Sequence, residues 1–441
     1  MATFGDKTEP GIVTDLSSAL NVGTAGAAPS DLGIVGQADL ASTGSDGADP
    51  NIVYEVTRAT QARTLFGPEA SSLLTQGIID ALIEGAFPVY ALAPEEIDVA
   101  GEDISGVAGT SGTLSQTPVI EDAASISFTV DGVAKTTVLT YEDPSTKAPG
   151  ADEVYVNPVT GAFELDVAPS DTDTSNDTAD YTYYDYPTAI DAMVAGAGDT
   201  IDFFQPINEN QDVVDYAQSA NKSMAAEYDL ALAVLGPGDT VIDPATYTQS
   251  YDDSRAQVVF GTRFEDNSSL LAAYAGKRAA LGLTRTPIGL KLESTKRMAS
   301  YQASLLDRTA RGQLIDANVV PLADEAGGIR IVDDKTTVTS SNAQEGNIDF
   351  GFTRLVMDYI ITITRANEQP FIGRLNNGAV RDAFADLVKG ELVALKNSGS
   401  VLSYTVNVAK VDATTASLEV GVEVAKPLRF IENKITVGST A

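Results

Sequence analysis

Residues 65–92, LFGPEASSLLTQGIIDALIEGAFPVYAL, decide the fold. Gly67-Pro68 breaks the chain, and a helix is predicted next. Leu73, Leu74, Ile78, Leu82 and Ile83 recur at helical spacing and fall on one face. Gly85 provides the residue on which helices commonly end, because it tolerates the left-handed conformation. Pro88 then opens an apolar run, Val89-Tyr90-Ala91-Leu92, read as a strand. Upstream, Gly33-Ile34-Val35-Gly36 and residues 52–56 read as two more short strands. Strand, helix and strand in close succession form a βαβ-like unit, so the fold class expected here is α/β.

Outward from this unit the chain changes character several times. Residues 1–30 are rich in Gly, Ala, Ser and Thr and read as an extended N-terminal arm, with Phe4, Ile12 and Val13 among its few large apolar side chains. Residues 97–190 hold 17 acidic and two basic residues. Strand signals dominate there: Ser125 to Val130, an Asp131-Gly132 turn, Thr136 to Tyr141, and further runs at 153–157, 162–167 and 181–186. Asp-Gly between two such runs is a hairpin signature. The segment reads as an inserted, solvent-facing β-domain. Residues 191–345 resume the α/β pattern, with strands at 231–235, 258–260 and 328–332 and a helix at 268–282. Residues 31–96 plus 191–345 therefore form the expected core. Residues 346–441 carry ten acidic and ten basic residues, whereas the whole chain carries −34. Helices are expected at 355–367 and 379–396, the second with Val380, Phe384, Leu387, Val388, Leu392 and Leu395 on one face. Strands follow at 401–408, 417–424 and 428–437. Surfaces that meet another protein lose charge. The neutral end thus reads as the subunit-contacting part of an assembly.

His, Cys and Trp are all absent. No Ser-His-Asp or Cys-His site, thiolate nucleophile, disulfide or His/Cys-ligated metal is available. No apolar run reaches the ~18 residues that a membrane helix needs, and the start of the chain has no basic and apolar leader pattern. A soluble protein made in a cytoplasm is expected. With 62 acidic against 28 basic residues, nucleic acid is not an expected partner, because binding it depends on Lys and Arg displacing counterions. Acids spread along the chain fit adaptation to multimolar salt better than attraction to a basic partner. At ~1 M salt the Debye length is about 3 Å, so assembly in such a medium relies on apolar burial and backbone pairing.

The motifs that promise chemistry are weak. Asp171 to Asp177 starts like a calcium loop, but Asn176 stands where the turn needs Gly and Thr182 where a bidentate Glu belongs. No phosphate-binding loop or dinucleotide fingerprint occurs. Asp252-Asp253 and Asp333-Asp334 read as turn residues. Bases cluster between Lys277 and Arg311, with only Glu293 and Asp307 among them. Two readings stand: ion pairs with acids nearby in space, or a contact with the acidic face of a neighbouring copy. No cofactor and no metal is expected. An enzyme is not expected either, although a glycoside hydrolase using two carboxylates is a remote alternative.

Several segments together resemble the contractile tail sheath proteins of viruses and related injection machines. They are GIVGQADLAS (33–42), residues 65–94, LLAAYAGKRAALGLTRTPIGL (270–290), LIDANVVPLADEAGGIRIVDDKTT (314–337), the long run 354–408, and KPLRFIENKITV (426–437). The resemblance covers nearly everything outside 97–190. It implies a multi-domain chain: an α/β sheath core, the inserted acidic β-rich outer domain, and an α+β C-terminal inner domain (346–441) with extended terminal arms. It implies a homo-oligomer of stacked rings around an inner tail tube protein, with baseplate and tail terminator proteins as further partners. No nucleic acid or membrane partner is implied. Contraction of the sheath would drive the tube through a target envelope. Phe4, Ile12 and Val13 of the arm and Leu428, Phe430, Ile431, Ile435 and Val437 of the terminal strand would take part in inter-subunit strand exchange. Arg381, Lys389, Lys396, Lys277 and Arg278 would face the tube or a neighbour. The acidity points to a halophilic archaeal virus or a related injector, assembled in a host cytoplasm and ending in the virion tail. A capsid or surface-layer subunit is the alternative.

Overall fold

The computed structural model describes residues 29–427, apart from 171–173, 228, 239–242, 267, 284, 340 and 342–347. Phe4, Ile12, Val13, Leu428, Phe430, Ile431, Ile435 and Val437 lie outside the described residues.

The N-terminal unit runs β1 (Leu32–Val35), β2 (Tyr54–Val56), α1 (Ala59–Phe66), α2 (Leu73–Glu84) and β3 (Val89–Leu92). The side chain of Ser72 caps α2 by accepting from the Thr75 amide, and Gly85 ends it at φ 103°. The expected face of α2 is turned inward at Leu74 and Ile78, with Leu73 and Leu82 partly buried against the core, and departs only at Ile83. Leu74, Gly77, Ile78, Asp80, Ala81 and Glu84 are buried, whereas Ile83 is 53% exposed. Two carboxylates inside displace an isoleucine outside because their cationic partners come from far along the chain.

From β3 the chain enters seven strands: β4 (Glu96–Asp103), β5 (Ser111–Thr113), β6 (Ile126–Val130), β7 (Val133–Leu139), β8 (Glu153–Val156), β9 (Ala162–Leu165) and β10 (Thr178–Tyr184). They form a separate sheet in the order β4-β10-β6-β7-β8-β9-β5. Its own apolar cluster includes Val119, Phe128, Val130, Val154, Phe163 and Leu165. The β6–β7 turn has Asp131 at φ 50° and Gly132 at φ 73°, the left-handed pair that a two-residue hairpin requires. The strand expected at 181–186 stops at Tyr184, because Asp185 caps a helix through the Thr188 amide.

The chain then resumes the first sheet through α3 (Tyr186–Ala197), β11 (Phe203–Pro206), α4 (Gln211–Glu227), β12 (Leu232–Leu235), β13 (Ala256–Phe260), α5 (Leu270–Leu281), α6 (Ser300–Ala303), α7 (Arg308–Asp316), β14 (Val320–Glu325) and β15 (Gly328–Ile331). Eight strands lie in the order β15-β14-β13-β12-β11-β1-β3-β2. The six central strands are parallel and the two edges antiparallel. β1, β11, β12 and β13 are buried at every residue, as befits strands covered by helices on both faces. α3 and α4 form one covering pair and α2 and α5 the other.

The C-terminal part contains α8 (Gly351–Glu368), α9 (Gly378–Asn397), β16 (Val401–Lys410) and β17 (Ala416–Val424). α8 is tied to the core by buried charge. Asp334, fully buried, accepts from the Phe352 amide at the start of α8 (3.0 Å) and from Gln257 Nε2 (3.0 Å), and lies 3.5 Å from Arg278 Nε. Asp333-Asp334 is therefore an internal joint and not a surface turn. Asp358 of α8 pairs with Arg255, just before β13 (2.9 Å), and with Arg354.

Candidate assembly surfaces

The C-terminal ribbon is the least finished part of the molecule. Among the described residues, β16 and β17 pair only with each other, in a sheet of two strands. One face packs on α9 and α8 through Tyr404, Val406, Leu418, Val420, Val422 and Val424, all half-buried. The alternation of Leu418, Val420, Val422 and Val424 in the sequence is the signal for this face. Among the described residues neither outer edge of the ribbon pairs with a strand, so both present unpaired backbone groups. The last described residue, Pro427, stands three residues past β17.

α9 has two contrasting sides. Ala385, Val388, Leu392 and Leu395 are buried. Ala379, Ala383, Leu387, Gly390, Val393 and Ala394 are exposed and form a nearly uncharged opposite face. Leu387, expected with the buried set, lies one residue, about 100°, around the helix from buried Val388 and is 41% exposed. Arg381 donates to Asn376 Oδ1 (2.6 Å), Lys389 pairs with Asp386 (3.1 Å), and Lys396 is exposed.

Lys277 and Arg278 are placed differently. Lys277 Nζ bonds Glu293 (2.7 Å) and lies 3.4 Å from buried Glu84. Arg278 is fully buried beside Asp334 and donates to the Gly282 carbonyl (3.3 Å). The expectation that these two face a tube or neighbour is corrected: their charges neutralise carboxylates that the fold has taken inside. Lys296 does the same for Asp80 (2.9 Å).

The carboxyl ends of the parallel strands, where open α/β sheets commonly bind ligands, are closed by the inserted sheet. Arg263, fully buried after β13, is held by Glu209 through Nε–Oε1 (3.0 Å) and Nη2–Oε2 (2.8 Å). Its Nη2 also reaches Glu121 of the insertion (3.2 Å), and its guanidinium lies 5.0 Å from the centre of the Tyr141 ring. Tyr141 donates to Glu121. Asn210 Nδ2 adds bonds to Thr117 Oγ1 (2.9 Å) and the Val159 carbonyl (2.8 Å). Residues from the segments after β11 and β13 and from the insertion thus meet at one guanidinium, a convergence that no local pattern shows. Glu121→Gln removes the charge that the insertion contributes but leaves Arg263 paired. Its expected cost is about 1–3 kcal/mol, read as a lower thermal midpoint and faster proteolysis within 96–184.

At the other end of the strands, Asp202 accepts from the amides of Ser30 (2.8 Å) and Asp31 (3.1 Å) where β1 begins. Burial pushes its carboxyl up to about 6, against the stabilising amides, and the charges of Asp31 and Asp358 add to the rise. A raised carboxyl binds its proton more tightly in the folded state. Asp202 therefore lowers stability above about pH 6, and the loss is recovered as pH falls towards the unfolded-state value near 3.8. Asp202→Asn is expected to raise stability at pH 7.5 by on the order of 2 kcal/mol and to flatten the pH profile between 4 and 6.5, measured by denaturant unfolding.

Among the described residues no group of three or more carboxylates is placed to hold a metal ion, and no helix is long and apolar enough to cross a membrane. No protein-family model and no curated protein matches the sequence. Solved structures do match the fold. A chain of the anti-feeding prophage baseplate superposes with a TM-score of 0.58 at 11% identity, over 98% of this chain and 100% of that one. The contracted helical sheath of the same prophage gives 0.54 at 12% identity, over 98% and 99%. The sheath tail protein of Listeria innocua gives 0.53 at 12%, over 90% and 96%. The fold is thus the mixed α/β fold of contractile sheath proteins, matched along nearly the whole chain.

Proposed function

We propose that this chain is a structural subunit of a contractile sheath. It polymerises in stacked rings around an inner tube, and the sheath shortens to drive the tube through a target envelope. The observation that carries the reading is the near full-length correspondence with a chain of a contracted helical sheath, 98% of this chain against 99% of that one, and with a chain of the same prophage's baseplate, 98% against 100%. The unfinished ribbon supports it physically. Strand addition from neighbouring copies, by residues 1–30 and 428–437, would satisfy both edges with backbone hydrogen bonds that persist in strong salt. In this reading residues 346–441 face the tube and neighbouring copies, with Arg381, Lys389 and Lys396 on that side. The acidic inserted sheet points outward. Baseplate and terminator proteins bound the two ends of the polymer. The charge of −34 fits a halophilic archaeal virus or a related injector, the particle being a virion tail in the first case. Electron microscopy of the purified protein in multimolar potassium chloride tests the reading. Hollow helical cylinders are expected; closed shells or flat lattices would overturn it.

A further inference from the structure

The basic run from Lys277 to Arg311 divides in space. Lys277, Arg278 and Lys296 are spent on buried carboxylates, as described above. Lys291 and Arg311 are not: among the described residues neither reaches a carboxylate at ion-pair distance. Lys291 is exposed and donates to the Ala326 carbonyl (3.1 Å), over the turn between β14 and β15. Arg311 of α7, half-buried, donates to the Leu306 carbonyl (2.6 Å). Both stems are thus anchored to backbone while their charges stay unpaired. Arg330 of β15 holds Glu325 through Nε (2.9 Å) and Nη2 (2.6 Å). That bond, reinforced by the charges of Arg330, Lys291 and Arg311, keeps the Glu325 carboxyl below its usual range. Three cations therefore surround one carboxylate. The tip of this hairpin is positive on a chain whose net charge is −34.

The position of the patch matters as much as its sign. Lys291 bridges Arg330 along β15, and Leu292 donates to the Ile329 carbonyl (2.9 Å), so the patch occupies the outer edge of the eight-stranded sheet. β14 runs parallel to β13 and extends past it, which puts Glu325 beyond the carboxyl ends of the central strands. The acidic sheet grows from that same end, leaving after Leu92 of β3 near the opposite edge. Patch and acidic sheet stand at similar height along the strands; the chain enters the acidic sheet near the opposite edge, and that sheet reaches across the strand ends to Arg263 after β13, leaving the β14–β15 tip beside it. A contact between the patch of one copy and the acidic sheet of the next is head-to-tail. Repeated, such a contact closes a ring or winds a helix.

We propose that Lys291, Arg311 and Arg330 form a docking patch for the acidic inserted sheet of a second copy of this chain. The partner follows from charge complementarity: residues 97–190 carry 17 acidic against two basic residues. The inference rests on the sheath reading, since it supplies a lateral contact for that polymer. Anchored stems suit the contact to strong salt, where only charges that touch attract.

Zero-length carbodiimide coupling tests it on the assembled full chain, with isotopically labelled and unlabelled copies mixed so that links between copies are recognised by mass. The expected product joins Lys291 of one copy to an Asp or Glu within 96–184 of another. Lys291→Arg, which keeps the charge but cannot couple, is expected to lose the link and still assemble. Lys291→Glu is expected to leave the thermal midpoint of the free subunit unchanged and to reduce the assembled fraction about tenfold through like-charge repulsion. Links from Lys291 that end elsewhere, no link between copies, or undiminished assembly of Lys291→Glu would overturn the contact. Wild-type cylinders lacking the link overturn this contact alone; a wild-type protein that forms no cylinders overturns the sheath reading with it.

Discussion

Gly276→Leu is expected to yield no soluble folded protein, and Gly276→Ala to fold with a thermal midpoint well below that of the wild type. A Cβ at Gly276 would stand 2.6 Å from both the Cα and the carbonyl oxygen of Ala81. Those atoms are backbone, so nothing small can rotate away. The clash lies at the seam between α2 and α5, which is built from small residues at helical spacing: Gly77, Ala81 and Gly85 against Ala272, Gly276 and Ala280. A Cβ at Gly77 would likewise meet Ala272 at 3.2 Å and Ile207 at 2.3 Å. Alanine is the better helix former by roughly 1 kcal/mol. Overpacking of a filled interface costs about 1–3 kcal/mol and wins. Leucine has nowhere to go short of separating the helices. Gly312 on α7 is the control, since a Cβ there meets nothing. Gly312→Ala is expected to stabilise by about 0.4–1 kcal/mol. Circular dichroism melts of the three variants check the order; a Gly276→Ala protein more stable than wild type would sink the argument.

Deleting residues 428–441 is expected to abolish polymerisation while leaving a folded subunit. The deletion starts beyond Pro427, so every contact described above lies in the retained chain. The described members of the apolar clusters of both large sheets, and the Asp334 and Asp358 joints, are all retained. What is lost is the proposed donor strand, with Leu428, Phe430, Ile431, Ile435 and Val437 alternating or clustered as a strand would need. Without it the open edges of β16 and β17 have no partner in trans. Far-ultraviolet circular dichroism of the truncated chain should match the wild type, and sedimentation should show monomers only. Helical tubes formed by the truncated chain in strong salt would rule out strand exchange through the C-terminus.

Features that depend on neighbours in sequence were legible. The β6–β7 hairpin follows from Asp131-Gly132, the end of α2 from Gly85, and the inner face of β17 from strict alternation. α9 was found within a residue at each end, and α5 within two. Features that depend on distant partners were not. The inward turn of Asp80 and Glu84 is decided by Lys296 and Lys277, which the fold brings from about two hundred residues away. α1 and α4 carry little apolar period in the sequence because their buried faces are short or partly polar: α1 buries only Ala62 and Phe66, and α4 buries Gln218 and Asn221 beside Val213 and Val214. β4, at an edge of its sheet and mostly exposed, carries no apolar run to mark it. The Arg263 junction gathers residues 121, 141, 209 and 263, and spacing alone offers no hint of it.

The two-stranded ribbon has a thermodynamic consequence. An isolated pair of strands is marginal in water, and this one is supported on one face only, by α8 and α9. In a free subunit it should melt ahead of the eight-stranded core, so a calorimetric scan would show two heat-absorption peaks. The upper peak belongs to the core and should hold its temperature on dilution. The lower peak should climb with protein concentration, because each added strand from a neighbour is a ligand that binds only the folded ribbon. Completion of the fold and growth of the polymer would then be a single equilibrium observed from two sides.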